Sequence, residues 1–206
     1  MRTYAGKTAG QRSAERRALL IATGRRLFGT QGYASTSIRA ILRESGLQDR
    51  YFAESFTGKE DLLGAVYTEI EETVFSRTVK DVDPSARPRE QIRRMLENLV
   101  AVLSEDKVMA RVKFFETAGV SPAIEQLRWR ALRRYAEAMA GLLPLPHPSS
   151  PVDRSVLAQA LVSGVNGMLT DRLIGVLEMD DRLLVEHAML LVQGVEQQLA
   201  TPSDGD

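Results

Sequence analysis

From Thr36 to Glu60 the order of residues leaves few local structures open. Ile38, Ile41 and Leu42 recur at three- and four-residue spacing and so share one face of a short helix. Ser45-Gly46-Leu47 then reads as a turn, because Gly46 has no Cβ to oppose a positive φ and Leu47 can fall back toward the core. A second helix opens at Gln48. It keeps Phe52 and Phe56, four residues apart, for the core and leaves Asp49, Arg50, Tyr51, Glu54 and Ser55 on other faces. Thr57-Gly-Lys-Glu60 has the spacing of a capping box, with Thr57 capping a following helix and Glu60 reaching back to it. Two amphipathic helices hinged at a glycine form a helix-turn-helix, and polar side chains on the second are what a major-groove reader needs. Double-stranded DNA is the partner this pattern implies.

The charge distribution agrees with the motif. Formal net charge is zero, yet residues 1–60 hold 11 Lys and Arg against 5 Asp and Glu, and the remainder holds 16 against 22. A +6 module followed by a −6 one suits a nucleic-acid reader joined to a body that stays off the phosphates. The chain has no cysteine, which excludes disulfides, thiolate catalysis and cysteine-ligated zinc. No apolar run approaches the roughly 20 residues needed to span a bilayer. Residues 1–12 are basic but contain no apolar core segment, so they do not read as a secretory signal, and a cytoplasmic protein is expected. They read as a flexible arm, which either contacts phosphates or the minor groove or is a solvated tail.

Helical periodicity persists along the rest of the chain, and no alternating strand pattern appears, so the expected fold class is all-α. Leu20, Ile21, Leu27 and Phe28 form the stripe of a first helix from Ser13 to Thr30, with Gly32-Tyr33 ending it and Thr36 or Ser37 capping the next. A fourth helix is predicted from Gly58 to about Lys80. Asp81 to Pro88 is a proline-marked break. Further helices are predicted at about 89–104, 105–118 and 122–143, the last opened by Ser121 and Pro122, then from Ser150 to about Met179, and from Asp180 to about Ala200. The total is about nine. The division expected is an arm at 1–12, a DNA-binding domain of three helices at 13–60, a helical body at 61–200 and a flexible tail at 201–206.

Residues 13–63 resemble the DNA-binding domain of the TetR family of transcriptional regulators. Leu20, Ile21, Leu27, Phe28, Gly32-Tyr33, Thr36-Ser37, Ile41, Ser45-Gly46-Leu47, Phe52, Phe56 and Lys59-Glu60 carry the resemblance. It implies a homodimer whose recognition helices enter successive major grooves of a near-palindromic operator, roughly 34–36 Å apart. It also gives Arg39 a place at the DNA. Arg50 can donate twice to a guanine edge, Tyr51 can offer a hydroxyl or meet a thymine methyl, and Asp49 or Glu54 can accept from a cytosine amine. Lys59 and the hydroxyls of Thr36, Ser37 and Ser55 suit phosphates. Asp49 is equally an early-helix acid, and Glu54 equally the partner of a nearby arginine. Gln48, also a candidate contact, stands where the family has Ser or Thr, and Ala53 where it has Tyr. The first departure weakens the helix cap and the second removes a ring from the DNA side.

The resemblance further implies an effector pocket in the helical body, for an unknown, mainly apolar small molecule that releases a repressor from its operator; the alternatives are a regulator without a small-molecule effector, an activator, or a helical enzyme or scaffold whose hairpin only resembles a DNA reader. Candidate lining residues are Met95, Leu99, Met109, Phe114, Phe115, Trp129, Leu132 and Tyr135, with Asn166 and Arg172 as polar anchors; the same residues can equally be ordinary core. In the last two helices Leu157, Leu161, Gly164, Val165 and Met168, then Leu184, Met189 and Leu190, supply more apolar surface than one face needs. They read as a dimer seam forming a four-helix bundle, or as the completion of the monomer core. No catalytic set is apparent: His147 sits in a proline-rich loop and His187 beside an acid, without a nucleophile or a metal-ligand cluster. Neither an enzyme, a metal, a cofactor nor a membrane partner is expected.

Overall fold

A computed structural model describes residues 8–200, and every regular element among them is helical. The proposed tail at 201–206 and the first seven residues of the proposed arm lie outside them. The rest of that arm is helix: α1 runs Ala9–Gln31, longer than the stripe from Ser13 suggested. Thr8 accepts from the Gln11 amide, and the Gln11 side chain returns the bond to the Thr8 amide, a reciprocal cap that extends the helix by a turn.

The chain then forms α2 at Ile38–Ser45, α3 at Asp49–Ala53, α4 at Lys59–Thr78, α5 at Pro88–Glu105, α6 at Lys107–Arg111, α7 at Pro122–Leu142, α8 at Arg154–Leu173 and α9 at Asp181–Ala200. Nine α-helices are therefore present among the described residues, as the periodicity predicts. Beyond Arg111, α6 widens into π geometry over Val112–Glu116. Thr117, buried at its end, donates to the Lys113 carbonyl.

Several caps are where the sequence puts them. Ser37 accepts from the Ala40 amide, Ser121 from Ile124 and Asp180 from Leu183. Others are not. Asp153, rather than Ser150, caps α8. The acid that reaches back to Thr57 is Asp61, which accepts from both its amide and its hydroxyl at 2.9 and 3.2 Å. Glu60 instead accepts from the Ser121 hydroxyl at 2.6 Å.

Two compact units result. The first comprises the residues through Ile70 together with Lys107–Leu127; the second comprises Glu71–Asp106 and the residues from Arg128 onward. A cut at Glu60 is therefore not a boundary of packing. α4 contributes turns to both units, and α6 with the first turn of α7 returns to the head. The reason is visible at Gly29 on α1, where an added Cβ would lie 2.5 Å from the Val108 carbonyl oxygen and Cγ1. Only glycine lets α1 and α6 approach this closely. The core of the first unit joins Leu20, Leu27, Phe28, Ile41, Phe52, Phe56, Leu62 and Leu63, all buried. In the second unit α9 packs against α5 and α8 through buried Leu184, Ala188, Met189 and Val192.

Candidate nucleic-acid interface

The turn that aims the candidate reading helix is built as its sequence requires. Gly46 ends α2 in the left-handed region, φ 66° and ψ 18°, and its amide donates to the Leu42 carbonyl. The chain thereby reverses within three residues and enters α3. Gln48 takes the cap position without forming a side-chain cap bond, as its poor capping propensity predicts. α3 is short, and two phenylalanines hold it down. Phe52 and Phe56 are buried with ring centroids 5.7 Å apart.

Opposite that anchor, Gln48, Asp49, Arg50 and Glu54 are exposed, and Tyr51 and Ser55 are half-buried. Arg50 donates to the Tyr51 hydroxyl at 2.7 Å and lies over its ring. Glu54 is paired at 3.1 Å with Arg16 of α1, an arginine distant in sequence rather than a neighbour on its own helix. Arg39 and Ser37 are exposed on α2 and at its cap.

Lys59 is half-buried. It donates to the Tyr33 carbonyl at 2.9 Å and lies 4.2 Å from the Tyr33 ring centroid. An ammonium has three donors, so this anchor fixes its position while leaving hydrogens for a phosphate. The Tyr33 hydroxyl titrates higher than an ordinary tyrosine, because it is partly desolvated and stands near the charge of Glu60. The Tyr33 amide donates to Glu116 at 2.7 Å, and Glu116 also accepts from Arg111 at 2.8 Å. Sequence spacing offers no signal for this link, which joins positions 83 residues apart. It shows that the π turn after α6 is part of the head.

Thr36 does not fit its assignment as a phosphate contact. It is 1% exposed, and its hydroxyl donates at 2.7 Å to the Gly32 carbonyl. Gly32 leaves α1 with φ 91°, so its carbonyl lacks a helical partner and Thr36 satisfies it. The hydroxyl is structural.

The other candidate sets are divided differently from their sequence readings. Of the pocket residues, Met109, Phe114 and Phe115 belong to the first unit, and the other seven to the second. Trp129 is 69% exposed on α7 and is no wall of an enclosed pocket. Arg172 is committed to Asp181 and Ser104. Tyr135 is half-buried edge-on to Phe75, and burial followed by the nearby charge of Glu71 pushes its hydroxyl far above the usual tyrosine range. A cleft of about 260 Å³ between α5 and α9, lined by Arg93, Glu97, Val100, Arg182, Val185 and Glu186 among others, includes none of the ten.

The seam residues also sort into two groups. Leu161, Val165, Leu184 and Met189 are buried within the second unit. Leu157 and Met168 are half-buried, and Gly164 and Leu190 are exposed. Val156, Leu183 and Leu191 are exposed as well, and spacing alone does not single out Val156 or Leu191 for the outer face.

A short helix with an exposed polar face, set by a glycine turn after an amphipathic one, has the geometry of a helix-turn-helix motif. Residues 20–66 match the family described as bacterial regulatory proteins, tetR family. Solved structures share the whole fold. A TetR-like transcriptional regulator from Rhodococcus sp. RHA1 is 23% identical, covers 88% of this chain and 96% of its own, and superposes with a TM-score of 0.69. A putative transcriptional regulator from Pseudomonas aeruginosa PAO1 is 20% identical, covers 89% and 91%, and gives 0.74. The regulator FadR from Bacillus subtilis, solved in complex with stearoyl-CoA, is 19% identical, covers 86% and 98%, and gives 0.72. A 109-residue stretch is 33% identical to glutamyl-tRNA reductase from Geobacillus thermodenitrificans (strain NG80-2). That stretch takes in 52% of this chain but only 24% of the enzyme, so the chain spans about a quarter of the length of the curated relative it matches. Residues 20–66 are thus similar to the tetR family of bacterial regulatory proteins, and the described residues share the fold of solved TetR-like regulators. No helix among the described residues is long and apolar enough to cross a membrane.

Proposed function

We propose that this regulator is a cytoplasmic homodimeric repressor, held on a near-palindromic operator through α3 and released by a small, mainly apolar ligand. The observation that carries the reading is the outward set of Gln48, Asp49, Arg50 and Glu54 behind the Gly46 turn. Arg50 and Tyr51 read base edges, while Ser37, Arg39, Ser55 and Lys59 meet phosphates or neighbouring groups. Residues 13–60 do the reading, and 61–200 take the ligand and dimerise. Dimerisation is supported by the exposed apolar stripe of Leu183, Leu190 and Leu191 on α9.

A small-molecule effector is supported by Met95, Leu99, Leu132 and Tyr135, each half-buried in the second unit, and by the stearoyl-CoA complex of the Bacillus subtilis neighbour. Release requires the ligand to favour one state of the protein, by about 1–3 kcal/mol in typical cases. Selection of bound fragments from a random DNA pool tests the first half of this reading, and a palindromic consensus is the expected result. Titrating palmitoyl-CoA and stearoyl-CoA into the dimer-operator complex tests the second. Dissociation supports release, tighter binding supports an activator or co-repressed protein, and binding without any change in operator affinity rejects ligand switching.

A further inference from the structure

Arg16 of α1 makes a link into the reading helix that neither the helix-turn-helix pattern nor the family match assigns. Its guanidinium carbon lies 4.3 Å from the centroid of the Tyr51 ring, and its Nη2 donates to Glu54 at 3.1 Å. Arg50 lies 4.6 Å from the same centroid and donates to the Tyr51 hydroxyl at 2.7 Å. Tyr51, Arg50 and Glu54, the polar groups offered by α3 and the residue after it, are thus chained to one arginine more than 30 positions earlier. The Arg16 side chain is only 24% exposed, and its Nε–H has no acceptor among the described residues. It is held by a cation-π contact and one ion pair.

We infer that Arg16 is a positioning and specificity-determining residue, which fixes the groups that α3 presents to base edges by its cation-π contact with Tyr51 and by occupying Glu54. The inference rests on the reading of α3 as the base-reading helix. Two physical consequences follow from the contacts. The cation-π contact fixes the Tyr51 ring, so its hydroxyl holds one Arg50 donor and leaves the others in a set plane; bidentate recognition of guanine depends on such a plane. The ion pair neutralises Glu54, which would otherwise repel phosphates and be open to a cytosine amine. Lysine can supply the charge but not the flat, forked guanidinium.

The test compares full-length wild type, Arg16→Lys, Arg16→Ala and the double variant Arg16→Ala/Glu54→Gln. Each is put through selection from a random DNA pool and then through salt titration on the selected and on non-specific duplexes, after its thermal midpoint has been matched to wild type. Arg16→Lys is expected to keep non-specific affinity and the salt slope, while the ratio of specific to non-specific affinity falls about three- to thirtyfold, the range of a cation-π contact. Arg16→Ala is expected to select a changed base at the position facing Glu54, and Glu54→Gln in that background to remove the change. If both single variants select the wild-type sequence with the wild-type ratio, Arg16 positions nothing. If Arg16→Ala and Arg16→Lys differ only because alanine weakens every duplex alike and flattens the salt slope, Arg16 is a phosphate contact and the inference is overturned. Should wild type itself select no sequence, the reading of α3 fails first, a result distinct from either.

Discussion

Replacing Gly29 with alanine tests the closest approach in the head. The new Cβ would sit 2.5 Å from both the carbonyl oxygen and Cγ1 of Val108, and 3.1 Å from its carbonyl carbon. Carbon contacts settle at about 3.5–4.0 Å, so roughly 1 Å of overlap must be relieved. A rotamer change of Val108 removes the clash with Cγ1 but not the one with the backbone, so α6 itself must shift away from α1. Overpacking of this kind costs about 1–3 kcal/mol. Because the backbone of α6 must move, the cost lies in the upper part of that range, about 2–3 kcal/mol; alanine returns about 1 kcal/mol through its better helix propensity, leaving a net destabilisation of about 1–2 kcal/mol. At about 2–4 °C per kcal/mol for a chain of 206 residues, thermal unfolding should fall by about 2–8 °C. The matched control is Gly141→Ala on α7, where a Cβ meets nothing within 4 Å. The same chemical change there should be neutral or stabilising, by up to about 1 kcal/mol. Differential scanning calorimetry of both variants decides the matter. If Gly29→Ala melts at or above wild type, the α1–α6 contact yields at no cost and does not fix α6 to the head.

Thr36→Val should cost about 0.5–1.5 kcal/mol by leaving the Gly32 carbonyl without its hydroxyl donor, while the salt slope of DNA binding stays unchanged; a lower slope would restore Thr36 to the phosphates. Leu190→Glu, at a position 63% exposed in one chain, should leave the helical circular dichroism spectrum intact and convert the proposed dimer to monomer in sedimentation. Retention of the dimer would remove α9 from the seam. Tyr135 gives a pH dependence whose sign is fixed. Its folded pKa is raised by burial and by Glu71, so its contribution is present below the unfolded pKa of about 10 and is lost as pH rises beyond it, at up to about 1.4 kcal/mol per pH unit. Thermal midpoints of wild type should therefore fall more steeply between about pH 10 and 11 than those of Tyr135→Phe, and parallel curves would contradict the burial.

The head was legible in the sequence where its causes are local. Gly46 had to be the hinge, because the reversal needs a positive φ within three residues, and Ser37 and Ser121 cap the helices they precede, as Asp180 does in the second unit. What failed were choices made by distant residues. Glu60 has the capping-box spacing, yet Ser121, 61 positions away, takes its carboxylate and leaves Asp61 to serve Thr57. Thr36 looked like a surface hydroxyl because nothing near it signals that Gly32 would expose a carbonyl needing a donor. Arg16 and Glu116 enter the head only after folding brings α1 to α3 and the π turn to Tyr33.

The same limit explains α9 and shows what its sequence did specify. Periodicity cannot choose the inward face of a helix that is apolar on two sides. Leu184, Ala188 and Val192, at four-residue intervals, turn out to be the buried stripe. Leu183, Leu190 and Leu191 are left outside, where a solitary surface helix would carry polar residues. Burying the inner stripe therefore does not account for the composition of α9. The outer stripe remains, and in the proposed dimer it is the surface that a second copy covers, so substitutions in the two stripes should separate. Those at Leu184 should unfold the chain, and those at Leu190 should only divide the dimer.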